Sequence, residues 1–198
     1  MGYLAWHNRY QRWKAGLLTA LLRREAAAIG PGSLIYAPFH SGDISGLSIG
    51  RNSVIFNYGW LLTVSEGWGI HYQPRLIIGD DVYIGFRSHI VACDRIEIGN
   101  KTVIADNVYI TDNLHGFEGV TRGIMEQPLR VPGPVVIGEG CWIGERACIM
   151  PNVKIGKHAV IGANAVVTKD IPEYSIAVGA PARVIKCRNA AGQWVKCE

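Results

Sequence analysis

The chain has 198 residues, a formal net charge of +4, 48% hydrophobic and 18% charged residues. That balance excludes a disordered chain. The basic excess is small and comes with no motif for reading bases or phosphate backbone, so nucleic acid is not an expected partner. No run of about 18 apolar residues predicts a transmembrane helix.

The N-terminus interleaves aromatic and charged residues instead of carrying the apolar run of a secretory signal. Five cysteines, an odd number without a secreted-type spacing, read as free thiols in the cytoplasm. Twenty-four glycines exceed the usual level of about 7% and need a structural reason. The expected organisation is a single domain, 1–198: a helix in 1–30, a repeating body in 31–172 with an extruded loop at 111–135, and a tail in 173–198.

Residues 3 to about 28 predict an amphipathic helix. Tyr3, Trp6, Tyr10, Trp13, Leu17 and Leu21 recur three or four apart in one stripe. Arg9, Arg12, Lys14, Arg23 and Arg24 take other positions, and Gly30-Pro31-Gly32 stops the helix. The stripe is expected to pack on the body of the protein or on a neighbouring subunit. The sharper reading is peripheral contact with the inner face of a membrane, because basic residues flank Trp and Leu.

A six-residue beat follows. Ile49, Ile55 and Leu61 start it weakly. Ile78, Ile84 and Ile90 carry it, and Ile98, Ile104 and Ile110 resume it after a two-residue slip. Ile137, Ile143, Ile149, Ile155, Ile161 and Val167 then run without a slip. Glycine follows many of these, as at Gly79, Gly85, Gly99, Gly138, Gly144, Gly156 and Gly162. Four positions after the isoleucines, Val82, Ser88, Thr102, Val108, Cys141, Ala147, Val153, Ala159 and Ala165 form a column of small or β-branched residues.

A period of six fits short strands that turn a corner every six residues, so the two columns share a narrow interior. The glycines are expected to supply positive φ at the corners, with Asn152 standing where a turn would want glycine. The fold class is all-β, a parallel β-helix of hexapeptide repeats.

The segment PVVIGEGCWIGERACIMPNVKIGKHAVIGANAVVTKDIPEYSIAVGAPARVIK, Pro134 to Lys186, together with ITDNLHG and the earlier coils, resembles the hexapeptide-repeat acyltransferases, especially the sugar O-acetyltransferases similar to maltose and galactoside acetyltransferases. The resemblance covers roughly 45–188. It implies a left-handed parallel β-helix, a homotrimer with active sites between subunits, acetyl-CoA as co-substrate with no metal required, and a sugar or glycan acceptor near the loop that leaves the helix.

Acetyl transfer from a thioester to a hydroxyl needs a base for the hydroxyl proton and a donor for the oxyanion. His115, in Asp112-Asn113-Leu114-His115-Gly116, fits the base. Relatives often carry Asp-His-x-His-Gly here, so Asn113 stands in place of one histidine. Asp112, Asn113 and Trp142 are the acceptor-side candidates. The resemblance further implies donor contacts from Trp142, Gly144, Ala163, Lys169, Arg183 and Lys186, of which Arg183 and Lys186 suit nucleotide phosphates.

Elsewhere, His89 suits a solvated or groove-lining role, His158 an exterior one. Cys141 reads as a core thiol and Cys148 as outward-facing. The tail, VIKCRNAAGQWVKCE, reads as a hairpin in which Cys187 and Cys197 stay reduced. Three other functions compete with O-acetyl transfer. An N-acyltransferase on an amino-sugar nucleotide would use the same fold and donor. A zinc enzyme on the same coils would need three converging histidines, where only His89 and His115 qualify. A non-catalytic trimer would not bind acetyl-CoA.

Overall fold

A computed structural model describes residues 2–197. Three parallel sheets form the faces of a coiled prism. The first face stacks Ala28–Ile29, Leu47–Ile49, Arg75–Ile78, Arg95–Ile98, Val135–Ile137 and Lys154–Ile155. The second stacks Leu34–Ile35, Val54–Ile55, Tyr83–Ile84, Val103–Ile104, Trp142–Ile143, Val160–Ile161 and Ser175–Val178. The third stacks Trp60–Thr63, His89–Ala92, Tyr109–Thr111, Cys148–Ile149 and Val166–Val167.

Isoleucine lies over isoleucine. Ile78 pairs with Ile98, Ile98 with Ile137 and Ile137 with Ile155. These side chains are buried, and so is the whole second column from Val82 to Ala165. Each such isoleucine contributes about 1.5–3 kcal/mol by leaving water.

The repeat glycines serve a different purpose from the one expected. None of Gly79, Gly85, Gly99, Gly138, Gly144, Gly156 and Gly162 has positive φ. The left-handed residue falls two positions later, at Asp81, Arg87, Lys101, Gly140, Arg146, His158 and Asn164, and Asn107 and Asn152 hold the same place after Ala105 and Met150. The glycines are needed because the next coil passes too close. A Cβ on Gly144 would meet the Ala163 nitrogen at 2.6 Å.

The body also extends further than 172. Ser175–Val178 pairs in parallel with Val160–Ile161, so the coils run on to Val178. Arg183–Arg188 then folds back antiparallel, and Trp194–Lys196 pairs antiparallel with it. This register sets the Cα atoms of Cys187 and Cys197 5.5 Å apart, and the two form a disulfide, against the expectation of free thiols. Cys93, Cys141 and Cys148 are free.

The N-terminal helix spans Tyr3–Leu22 and ends earlier than expected. Ala28–Ile29 already belongs to the first coil, where it pairs with Ser48–Ile49, and that ladder overrides the helix propensity of the intervening alanines. Thr19 joins the helix to the body: its Oγ1 accepts the Ile35 amide at 2.8 Å and donates to the Ala15 carbonyl at 2.7 Å. The helix buries Ala15, Thr19 and Leu22. The aromatic stripe therefore does not pack on the body of its own chain. Among the described residues, no helix is long and apolar enough to cross a membrane.

Candidate active site

The chain leaves the prism at one corner, between the third face and the first. After Trp60–Thr63 it forms an antiparallel hairpin, Glu66–Gly67 with Ile70–His71. After His89–Ala92 it adds only Cys93 and Asp94, which is the two-residue slip. After Tyr109–Thr111 it makes the long excursion, in which Leu114–His115 pairs antiparallel with Leu129–Arg130. His115 stands opposite Leu129, so the histidine rides on a short two-stranded arm and not on a free loop.

Asp112 anchors the base of this arm. Its carboxylate is fully buried and accepts the amides of Cys93 and Asp94, each at 2.8 Å, and Asn113 Nδ2 at 3.1 Å. With its oxygens committed to the chain, Asp112 positions the excursion. Asn113 Nδ2 also donates to the Val91 carbonyl at 3.2 Å. Burial and the Asp112 charge push the Cys93 thiol up to about 12, so it stays protonated.

The long excursion is braced internally. Gln127 Nε2 donates to the carbonyls of Gly119 and Arg122, both at 3.2 Å, and its Oε1 accepts the Gly119 amide at 2.8 Å. Arg130 bridges to Glu118 at 2.7 Å and lies over the Phe117 ring.

Between arm, hairpin and third face lies a cleft of about 460 Å³. Trp60, Trp68, His89, Tyr109, Asn113 and His115 line it. Trp60 and His89 stack at 4.4 Å with their planes 13° apart, and Tyr109 meets His89 edge-on at 5.2 Å. Trp68 meets His115 edge-on at 6.5 Å. Burial lowers the pKa of His89, which favours its neutral form. His115 remains exposed at the cleft mouth.

Of these residues the sequence reading gave only His89 a groove-lining role and overlooked Trp60, Trp68 and Tyr109, although a signal existed for two of the three. Trp60, His89 and Tyr109 each directly precede a buried residue of the third face, Leu61, Ile90 and Ile110, so strand alternation turns all three outward into one column. Trp68, on the hairpin, has no such spacing.

The remaining candidates lie elsewhere. Trp142 is exposed on the second face, and Gly144 and Ala163 meet at the corner after it. Lys169 is exposed in the turn after Val166–Val167. Arg183 and Lys186 lie on the strand that folds back over the second face. None of the six lines the His115 cleft of the same chain. Among the described residues, no group of three or more His, Cys, Asp or Glu could hold a metal ion.

Two family models match. Residues 134–169 fit the bacterial transferase hexapeptide (six repeats), and residues 75–112 fit the hexapeptide repeat of succinyl-transferase. The chain is 33% identical over 147 residues to WbbJ of Escherichia coli (strain K12), named for O-acetyl transfer in lipopolysaccharide biosynthesis, covering 70% of this chain and 75% of that one. It is 34% identical over 169 residues to the probable acetyltransferase Rv3034c of Mycobacterium tuberculosis (strain ATCC 25618 / H37Rv), covering 85% of this chain but only 52% of that relative. The chain thus spans about half of the mycobacterial relative.

Among solved structures, AntD, an N-acyltransferase from Bacillus cereus in complex with dTDP and 3-hydroxybutyryl-CoA, superposes with a TM-score of 0.73 at 22% identity, covering 88% of this chain and 89% of that one. The hexapeptide-repeat acetyltransferase VCA0836 from Vibrio cholerae, complexed with acetyl-CoA, gives 0.59 at 22% identity, covering 90% and 87%.

Proposed function

This chain belongs to the hexapeptide-repeat acyltransferase family, and from that premise we propose that it moves an acetyl group from acetyl-CoA to a hydroxyl of a sugar or glycan, with His115 as general base. The observation that carries this reading is the imidazole of His115 at the mouth of an aromatic-walled cleft, on an arm anchored by Asp112. Ring walls such as Trp60, Trp68 and Tyr109 suit the apolar faces of a sugar, and His115 suits the proton that the hydroxyl must lose.

The step runs in a direct ternary complex. The acceptor oxygen attacks the thioester carbonyl carbon as His115 takes the hydroxyl proton. The tetrahedral intermediate then collapses, breaking the carbon–sulfur bond, and the imidazolium returns its proton to the departing thiolate. No part of this balance asks for a metal.

The coils are taken to wind left-handed and three chains to assemble around one axis. The separation of Trp142, Gly144, Ala163, Lys169, Arg183 and Lys186 from His115 within one chain supports this, since a donor groove on one subunit would face the His115 arm of the next. A donor made in the cytoplasm implies the same compartment for the reaction. O-transfer is preferred to N-transfer because WbbJ is named for it.

The test is a screen of sugar alcohols and amino-sugar nucleotides with acetyl-CoA, reading out free thiol, run with wild type and His115→Ala. The expected result is turnover on hydroxyl acceptors, lowered by about 10²–10⁴-fold in the variant, the usual worth of a positioned base. Turnover confined to amines would replace O-transfer by the N-acyl reading. A variant that keeps more than about a tenth of wild-type kcat would remove His115 from the role.

A further inference from the structure

The N-terminal helix carries a feature that acyl transfer does not use. Only its second half is docked, through Ala15, Thr19 and Leu22, with Leu18 packed against the core. Residues 3–14 are exposed apart from the half-covered His7 and Gln11. A helical segment of that length is marginal alone in water, so something has to cover it.

What it presents is specific. At 100° per residue, Tyr3, Trp6, Tyr10, Trp13, Leu17 and Leu21 fall within an arc of about 80°, on the side away from the docked face. All six are exposed, from 42% at Tyr10 to 72% at Tyr3. The aromatic rings form a continuous ladder, with centroid distances of 6.5 Å for Tyr3–Trp6, 5.6 Å for Trp6–Tyr10 and 6.2 Å for Tyr10–Trp13. From residue 2 to residue 24 there is no Asp or Glu, while Arg9, Arg12, Lys14, Arg23 and Arg24 are all cationic. Lys14 Nζ sits 5.5 Å from the centre of the Tyr10 ring, at the edge of the stripe.

We infer that this helix lies on an anionic phospholipid surface, stripe inward, so that the enzyme works at a membrane face. Charge complementarity decides between the possible occupants. A second copy of the chain would bring the same acid-free helix, with no carboxylate from residue 2 to residue 24 to match its cations. Lipid headgroups supply the phosphates directly, and each basic residue near such a surface adds to binding. The ring types agree, because Trp and Tyr hold an apolar body in the acyl boundary and a polar edge at the headgroups. The arrangement is that of an interfacial helix, apolar on one side, with Lys14 at the edge of the stripe and no acidic residue along the segment. The inference is independent of the acyl-transfer reading, since it uses no residue of the cleft.

The test is co-sedimentation of the full chain with vesicles of phosphatidylglycerol and phosphatidylethanolamine, and with phosphatidylcholine alone, at low and high salt. Wild type should bind the anionic vesicles, release in high salt and ignore phosphatidylcholine, with Trp fluorescence shifting to the blue on binding. Trp6→Ser/Trp13→Ser should lower the partition coefficient by about tenfold or more, and Arg12→Gln/Lys14→Gln should weaken binding to anionic vesicles by about tenfold or more and reduce its salt dependence. Sedimentation velocity without vesicles should give all three proteins the same oligomeric state. Absence of binding to anionic vesicles overturns the inference. So does a tryptophan variant that binds as well as wild type, or one whose assembly falls apart, which would make the stripe a subunit interface.

Discussion

The indole Nε1 of Trp68 donates to the main-chain carbonyl of Met125 at 2.8 Å, tying the short hairpin of one coil to the long excursion of another directly beside His115. Two insertions separated by many residues thus brace one another at a single corner. Trp68→Phe removes the donor and keeps the ring, at a cost of about 1 kcal/mol in the closed arrangement. Amides in 117–127 should then exchange several-fold faster, while acetyl-CoA binding measured by calorimetry is unchanged. Equal exchange in the two proteins would show that the bond does not hold the excursion.

Asp112 should matter for folding, because its buried carboxylate holds two main-chain amides. Asp112→Ala strands the Cys93 and Asp94 amides at the corner, and an unsatisfied buried donor costs about 1–3 kcal/mol. Urea denaturation should show a loss of at least about 2 kcal/mol on that basis. A variant as stable as wild type but unable to use acceptor would assign Asp112 to substrate binding.

Two glycines should respond oppositely to the same substitution. Gly144→Ala drives a Cβ to 2.6 Å from the Ala163 nitrogen and should destabilise by about 1–3 kcal/mol, as overpacking does. Gly16→Ala, in the N-terminal helix with nothing within 4 Å, should stabilise by up to about 1 kcal/mol. Thermal midpoints of the two variants relative to wild type check both signs.

His89 should make stability depend on pH. Burial against Trp60 holds its folded pKa below the ordinary 6.5, so the unfolded chain binds a proton first as pH falls. Its contribution is present in full above about pH 6.5 and is lost as pH falls through the lower folded value. His89→Phe should flatten the stability profile across that acidic window. An unchanged slope would assign the acid sensitivity to another group.

The sequence alone determined the coils, because a period of six needs only local agreement. The isoleucines from Ile78 to Ile161 that recur every six residues, the small residues four positions on, and the left-handed Asn152 could be placed by counting. It also located the break, an Asp-Asn-Leu-His-Gly run between regular repeats, and offered His115 as the base that the proposed reaction would use. Tertiary structure decided what depends on contacts between coils. The repeat glycines look like φ-positive corners in one dimension, and only the stacking of the next coil shows that close approach is what excludes a side chain. That Asp112 anchors the excursion follows only from the Cys93–Asp94 segment, whose amides donate to its carboxylate. The disulfide between Cys187 and Cys197 follows from strand register, and Trp68 meets His115 only because two insertions emerge at the same corner of the prism. Periodicity encodes the burial of each residue, but it does not encode which insertion lies over which.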